Sequence, residues 1–218
     1  MKGVFVTGTD TDVGKTWVGK HLIQALLRHK LDVVPRKPVE SGWADDVQQT
    51  DTWNLANAAK MLNKLEEICP NRFNAPVSPD QAAHLQGVTL SIFELKQLCL
   101  NNVDQKQFLF VEGAGGFYSP ICSNGLNADL AVALGLPVLL VVDNRLGCIN
   151  HTLLTIEAIK KNNLNLVALV LNNTNSSCDN NEMSNLEALK KHSNKPIFTL
   201  DHEQDSISDC DKLCSLLI

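Results

Sequence analysis

A chain of 218 residues suits one large domain better than two. With 44% hydrophobic, 20% charged and 5% aromatic residues, it carries enough apolar surface for a core and too little net charge for intrinsic disorder. The net charge of −5 and the scattered basic residues argue against a nucleic-acid footprint.

The longest apolar run, Leu130 to Val142, includes Gly135 and Pro137 and falls short of the roughly 20 residues of a spanning helix, so no membrane span is expected. Met1 to Asp10 holds neither a long apolar core nor a cleavage site, which predicts no secretory signal and a cytoplasmic location. Cys69, Cys99, Cys122, Cys148, Cys178, Cys210 and Cys214 are dispersed, without a Cys-x-x-Cys pair. They read as reduced thiols, and their spacing to histidines matches no zinc site.

Six short β-branched runs read as strands buried on both faces: Val4 to Thr7, Val33 to Pro38, Phe108 to Glu112, Val138 to Asp143, Leu166 to Leu171 and Ile197 to Leu200. Helical patterns lie between them, at Lys15 to His29, Thr50 to Leu65, Ile92 to Asn101, Ile149 to Lys161 and Glu182 to Lys191. This alternation predicts an α/β fold with a mostly parallel sheet flanked by helices. The stretch 43–107 is longer than an ordinary crossover and predicts a helical insertion within a single domain spanning 1–218. The first part of Asn172 to Asn185, rich in Asn, Ser and Asp, reads as a loop.

Gly8-Thr9-Asp10-Thr11-Asp12-Val13-Gly14-Lys15-Thr16 follows the first strand and opens the first helix, the context a phosphate-binding loop requires. Glycines let backbone N–H groups turn toward an anion, and the helix N-terminus adds partial positive charge. Lys15 is placed to reach the β- and γ-phosphates and Thr16 to put its hydroxyl on Mg²⁺. Five residues separate the two glycines where four are usual, and Asp10 and Asp12 are unexpected beside a triphosphate. Two carboxylates there favour a positively charged second substrate.

Together with Lys37-Pro38-Val39-Glu40-Ser41-Gly42, Glu112-Gly113-Ala114-Gly115-Gly116 and Leu146-Gly147-Cys148-Ile149-Asn150-His151, this loop resembles that of the dethiobiotin synthetase family, in the expected order from residue 2 to about Asn173. The resemblance implies an ATP-dependent cyclo-ligase with a P-loop NTPase-like fold. Such an enzyme joins CO2 to 7,8-diaminopelargonic acid and closes the ureido ring of dethiobiotin through a phosphorylated carbamate, giving ADP and phosphate, with Mg²⁺ as cofactor.

On that resemblance Lys37, Lys15 and Thr11 serve the reacting groups, and Ser41 helps hold the diamine. The nucleotide falls to Asp12, Val13, Gly14, Lys15, Thr16, Trp17, Glu112, Gly113, Ala114 and Gly115, and the unobstructed backbone amides of Gly113 to Gly116 stand beside both the triphosphate and the substrate. Thr16, Asp51 and Glu112 are the metal candidates, Asp51 being preferred to Asp45 and Asp46 because it opens a helical pattern. Gly147, Cys148, Ile149 and Asn150 sit at a helix N-terminus that binds the far carboxylate of the diamine across a twofold homodimer, and Cys148 is a packed neighbour there, not a nucleophile. Asn172 offers an amide to adenine, Asn173 replaces it if the register slips, and backbone near Leu200 supports the base. After Leu200 the run Asp201 to Asp205 departs from the family and predicts a loose hold on adenine.

Three alternatives stand beside this reading, and the first, a catalytically silent nucleotide-binding module, is opposed by the presence of Lys15, Thr16, Lys37 and Glu112 together. An amide-forming cobyrinate-type ligase needs an ammonia source, and no second domain supplies one. A partition-type ATPase switch calls for a basic surface or an amphipathic tail, and the acidic chain shows neither clearly. A strand-end Lys37 is expected to contribute little to the core, so that its removal leaves folding intact.

Overall fold

The computed structural model of the chain describes residues 1–173, 181–201 and 207–218. In chain order the elements are β1 (Lys2–Gly8), α1 (Lys15–Arg28), β2 (Val33–Arg36), β3 (Val39–Ser41), α2 (Asp51–Ala58), α3 (Leu65–Ile68), β4 (Asn71–Phe73), α4 (Pro79–Leu85) and α5 (Ile92–Leu100). They continue as β5 (Phe108–Gly116), β6 (Pro120–Cys122), β7 (Gly125–Leu126), α6 (Asn127–Leu134), β8 (Val138–Asp143), α7 (Cys148–Lys161), β9 (Leu166–Asn173), α8 (Asn181–His192), β10 (Ile197–Asp201) and α9 (Ile207–Ser215).

Six strands form one sheet in the order β10-β9-β8-β1-β5-β2, and every neighbouring pair is parallel. Period-two alternation sends Phe5, Leu109, Val111, Leu140, Val142, Leu169 and Leu171 into one buried cluster. The alternate residues Val4, Val6, Phe108, Phe110, Leu139, Val141 and Val170 enter the other. Both faces are therefore covered, as the continuous apolar runs require. Complete burial of one such side chain contributes about 1.5–3 kcal/mol.

Parallel strands all deliver their carboxyl ends to one edge. Because β5 and β8 flank β1 from opposite sides, the crevice opens beyond β1, where the chain leaves in both directions.

The pattern Thr50 to Leu65 is not one helix. α2 stops at Ala58, and Lys60 takes a left-handed φ of 59° that ends the turn before α3 begins. The run Val33 to Pro38 likewise ends as a strand at Arg36, so Lys37 lies one residue beyond β2. β9 runs to Asn173, which places Asn172 and Asn173 in a strand rather than a loop. Residues 174–180 and 202–206 lie outside the described residues, and with them most of the Asp201 to Asp205 run. No helix among the described residues is long and apolar enough to cross a membrane.

Candidate functional site

The loop after β1 closes over its own lysine. Asp12 and Gly14 adopt left-handed φ values of 57° and 86°, and the Lys15 Nζ donates to the Asp10 carbonyl oxygen at 3.0 Å. Gly14 is obligatory on two counts. Its φ disfavours any side chain, and a Cβ there would stand 2.0 Å from Asn172 Nδ2.

Thr11, Asp12, Gly14, Lys15 and Thr16 line a cavity of about 360 Å³ whose opposite wall is made by Lys37, Glu40, Ser41, Asp51, Ala114 and Gly115. The fold thus brings together residues from the loop, the β2–β3 junction, the start of α2 and the end of β5. Val13 is buried behind the loop. Trp17, two residues into α1, has the Lys20 ammonium 3.7 Å from its ring centroid.

Lys37 is the electrostatic centre. Its Nζ, 3% exposed as a residue, donates to Glu112 Oε1 at 2.6 Å and to Asp51 Oδ2. Thr16 Oγ1 donates to the same Glu112 oxygen at 2.7 Å. Burial by itself disfavours an ammonium, but Asp51 and Glu112 overcome it and raise the Lys37 pKa well above the ordinary lysine value. Lys15 moves the other way: burial first, and the neighbouring Lys37 charge second, lower its pKa. Asp51 is held below the usual carboxylate range, because the Lys37 ammonium outweighs the cost of its burial. Complete burial pushes Glu112 up, with Lys37 opposing.

This geometry corrects the expectation that Lys37 is dispensable for folding. It is an internal cation whose removal leaves Glu112 buried without its counter-charge.

Two metal candidates, Asp51 and Glu112, meet at Lys37, and the third, Thr16, joins them through Glu112 Oε1. Thr16 Oγ1, the Asp51 carboxylate and Glu112 Oε1 form a hard-oxygen set, and Glu112 Oε2 is buried with no partner. The carboxylates lining the cavity, Asp12, Glu40 and Asp51, with Glu112 buried behind Lys37, outnumber the ammonium groups of Lys15 and Lys37. That surplus suits a divalent cation, and Mg²⁺ uses only one or two protein carboxylates beside phosphate and water oxygens.

Glu40 had no assigned role in the sequence, and the structure gives it one. Its Oε1 accepts the Asp51 N–H at 2.9 Å, while its Oε2 accepts the Thr52 N–H at 3.0 Å and the Thr52 hydroxyl. The carboxylate therefore satisfies the first orphan donors of α2 and fixes Asp51 at the cavity. Its sequence signal was its place in the Lys37 to Gly42 stretch, five residues before Asp45, with no role attached to it.

The backbone amides of the Gly113 to Gly116 stretch are less available than expected. The Ala114 N–H donates to Asn127 Oδ1 at 3.1 Å, and the Gly116 N–H to Ser119 Oγ at 2.9 Å. Side chains from the β5–β7 region and the start of α6 have taken two of these donors.

At the other end of the crevice, Asn172 is fully buried. Its Nδ2 donates to the Val13 carbonyl at 3.0 Å and its Oδ1 has no partner among the described residues. One amide proton expected for adenine is thus spent on holding the phosphate loop. Asn173 has neighbours of its own: its Oδ1 accepts from Asn144 Nδ2 at 2.8 Å and its Nδ2 donates to Asp201 Oδ1 at 2.6 Å. Asn185 extends this chain by donating to Asn144 Oδ1 at 3.0 Å. Leu200 is buried opposite Asn172 in the β9–β10 register.

Gly147, with a φ of 90°, caps α7, but none of Gly147, Cys148, Ile149 and Asn150 lines the cavity of its own chain. The Cys148 N–H donates to the Arg145 carbonyl at 3.0 Å, which removes one of the amides expected to bind a carboxylate. Burial raises the Cys148 thiol pKa, in keeping with a packed side chain.

Comparison with known proteins supplies the family. The model of an AAA domain matches residues 2–200. The ATP-dependent dethiobiotin synthetase BioD of Anaeromyxobacter dehalogenans is 42% identical over 174 residues, which is 80% of this chain and 78% of that protein. BioD of Vesicomyosocius okutanii is 37% identical over 175 residues, 79% of each. Among solved structures, a putative plasmid partition protein of Borrelia burgdorferi bound to AMPPNP superposes with a TM-score of 0.59 at 12% identity, covering 99% of this chain and 97% of that one. The Pyrococcus furiosus cell division ATPase MinD gives 0.56 at 14%, covering 99% and 98%. At such identities these two share the fold alone. The phosphate loop opening on Lys15, the buried Lys37 and the sequence relatives converge on one assignment: this chain belongs to the dethiobiotin synthetase family.

Proposed function

We propose that the chain is an ATP-dependent cyclo-ligase that closes the ureido ring of dethiobiotin from 7,8-diaminopelargonic acid and CO2. The observation that carries the reading is the Lys37 ammonium, buried against Asp51 and Glu112 at the wall facing Lys15. One amine of the diamine takes up CO2 as a carbamate. The carbamate oxygen attacks the γ-phosphorus of ATP with ADP leaving, and the second amine then attacks the carbamoyl phosphate carbon and expels phosphate. Every stage carries anionic oxygens, and fixed ammonium groups stabilise such charge as it develops.

Lys15 and the backbone around Gly14 hold the triphosphate. Lys37 faces the carbamate and the transferring phosphoryl group, while Thr11 and Ser41 orient the diamine. Thr16, Asp51 and Glu112 would hold Mg²⁺, which supplies charge neutralisation on the phosphate oxygens. Asp10 and Asp12 at the loop tip favour the cationic diamine.

The substrate's far carboxylate is assigned to the α7 N-terminus of a second copy, since Gly147 to Asn150 stand outside the cavity of their own chain. Leu146 is 95% exposed and Leu154 and Tyr118 are also exposed, which gives that face the apolar character of a homodimer interface. The enzyme is proposed to work in the cytoplasm, where its thiols stay reduced.

The test is to mix the protein with MgATP, bicarbonate and the diamine and to follow dethiobiotin by mass spectrometry alongside phosphate release. Dethiobiotin appears, and phosphate release requires the diamine. Rapid ATP hydrolysis without the diamine, and no dethiobiotin with it, overturns the reading in favour of an ATPase switch. Leu154→Glu is expected to yield a monomer with weakened diamine binding.

A further inference from the structure

β5 leaves its ladder just where it reaches the cavity. Its residues pair with β1 in register up to Val6 opposite Glu112, and pairing resumes only at Gly8 opposite Gly116, so Gly113, Ala114 and Gly115 have no strand partner on that side. A buried backbone that loses its ladder must find hydrogen bonds elsewhere. Here they come from one side chain. Asn127, the first residue of α6 and fully buried, accepts the Ala114 N–H on Oδ1 at 3.1 Å. Its Nδ2 donates to the Ala114 carbonyl at 2.5 Å, with the Gly116 carbonyl at 3.0 Å and the Ser119 carbonyl at 3.3 Å.

A carboxamide carries its donor and its acceptor on two separate atoms in one plane, so it can clip both groups of the Ala114 residue at once. Ser119 Oγ completes the clip by accepting the Gly116 N–H. The segment so held is also the one that touches the phosphate loop. A Cβ on Gly115, whose φ is 76°, would lie 2.7 Å from Ser119 Oγ and 3.5 Å from Thr11 Oγ1.

We propose that Asn127 is a positioning residue for the diamine: it holds the Ala114–Gly115 wall of the cavity against Thr11 and thereby shapes the substrate side of the site. This rests on the cyclo-ligase reading. The nucleotide side has its own brace, because Asn172 Nδ2 holds the Val13 carbonyl behind the loop. Two separate braces make the two substrates separable in a kinetic experiment, which a merely structural role for Asn127 does not.

Asn127→Ala and Ser119→Ala are compared with the wild type by steady-state kinetics, with AMPPNP binding measured by calorimetry. Loss of a clip that leaves buried polar groups unpaired raises the KM for the diamine about tenfold or more, whereas the AMPPNP Kd stays within about twofold. A folded variant whose diamine KM stays within twofold of wild type, or whose AMPPNP Kd weakens in parallel, overturns the inference. Should Asn127→Ala fail to fold, Ser119→Ala carries the same decision, since Ser119 is only partly buried. A wild type that makes no dethiobiotin sinks the cyclo-ligase reading itself, while an active wild type with unsplit variants sinks only the role of Asn127.

Discussion

The two ends of the crevice are built from different chemistry. At the phosphate end, Lys15, Lys37, Asp51 and Glu112 form an interlocked set of full charges around the cavity. At the far end, to which the proposed function gives the base, Asn144, Asn172, Asn173 and Asn185 are neutral amides bound to one another, to Asp201 and to the loop backbone. Full charges fixed in place act strongly on reacting atoms, and most where the charge is buried, as it is at Lys37 and Glu112. Neutral amides act weakly on charge and fix position instead. The contrast assigns the chemistry to one end and alignment to the other.

The largest expected effect tests the charged end. Lys37→Gln keeps most of the side-chain length and removes the ammonium, and turnover should fall about 10²- to 10³-fold. Stability should also fall, by about 3 kcal/mol, because Glu112 stays buried without a counter-charge. Denaturant unfolding beside single-turnover kinetics separates the two losses, and near-normal turnover removes Lys37 from the mechanism.

Asn172→Ala sits where the ends meet. It strips the Val13 carbonyl of its partner and frees the space against Gly14. Leaving a buried acceptor unsatisfied costs about 1–3 kcal/mol, so ATP affinity should drop about tenfold or somewhat more. The comparison is sharpened if kcat at saturating ATP changes far less than affinity, and it breaks if kcat collapses as it does for Lys37.

A pH profile distinguishes the two lysines. Binding triphosphate needs Lys15 protonated, and its lowered pKa means the proton leaves below the usual lysine range near 10.5. The kcat/KM for ATP, which reports the free enzyme, should therefore decline on the alkaline side earlier than an ordinary lysine predicts. Lys37 does not add to that limb. Its raised pKa makes its stabilising contribution complete below the unfolded lysine value and lost only as pH rises through the higher folded value. An alkaline limb that shifts upward in Lys37→Gln, where the repelling charge is gone, confirms that the limb belongs to Lys15.

The same division governs what could be read without a structure. Gly14-Lys15-Thr16 and the Lys37 to Ser41 stretch are contiguous, since a phosphate cradle is local backbone geometry and leaves a local signature. The six buried strands were legible because both faces of the sheet are covered. α6 was not, since Leu130 lies in an apolar run that continues into β8 and shows no helical period until Gly135 breaks it at a φ of 65°. Glu40 and Asn127 hid for another reason. Their partners lie 11 to 13 residues away, across turns whose geometry no local pattern declares. The amides expected to be open at Ala114 and Gly116 were closed by Asn127 and by Ser119.

The smallest effect is expected at Asn173, and it decides whether the base end reads adenine or merely aligns the strands. Its amide oxygen accepts from Asn144 and its nitrogen donates to Asp201, which leaves one N–H and one lone pair and fixes the orientation of the amide in the strand-end network. Discrimination between purines comes from buried groups that hydrogen-bond the base edge, and the buried polar atom here without a partner among the described residues is Asn172 Oδ1. Asn173→Ala should therefore change the ratio of kcat/KM for ATP over GTP by less than about threefold, while costing roughly 1 kcal/mol of stability through the broken amide chain. A loss of more than tenfold in that ratio would place Asn173 on the base, and the base end would then be a recognition surface rather than a brace.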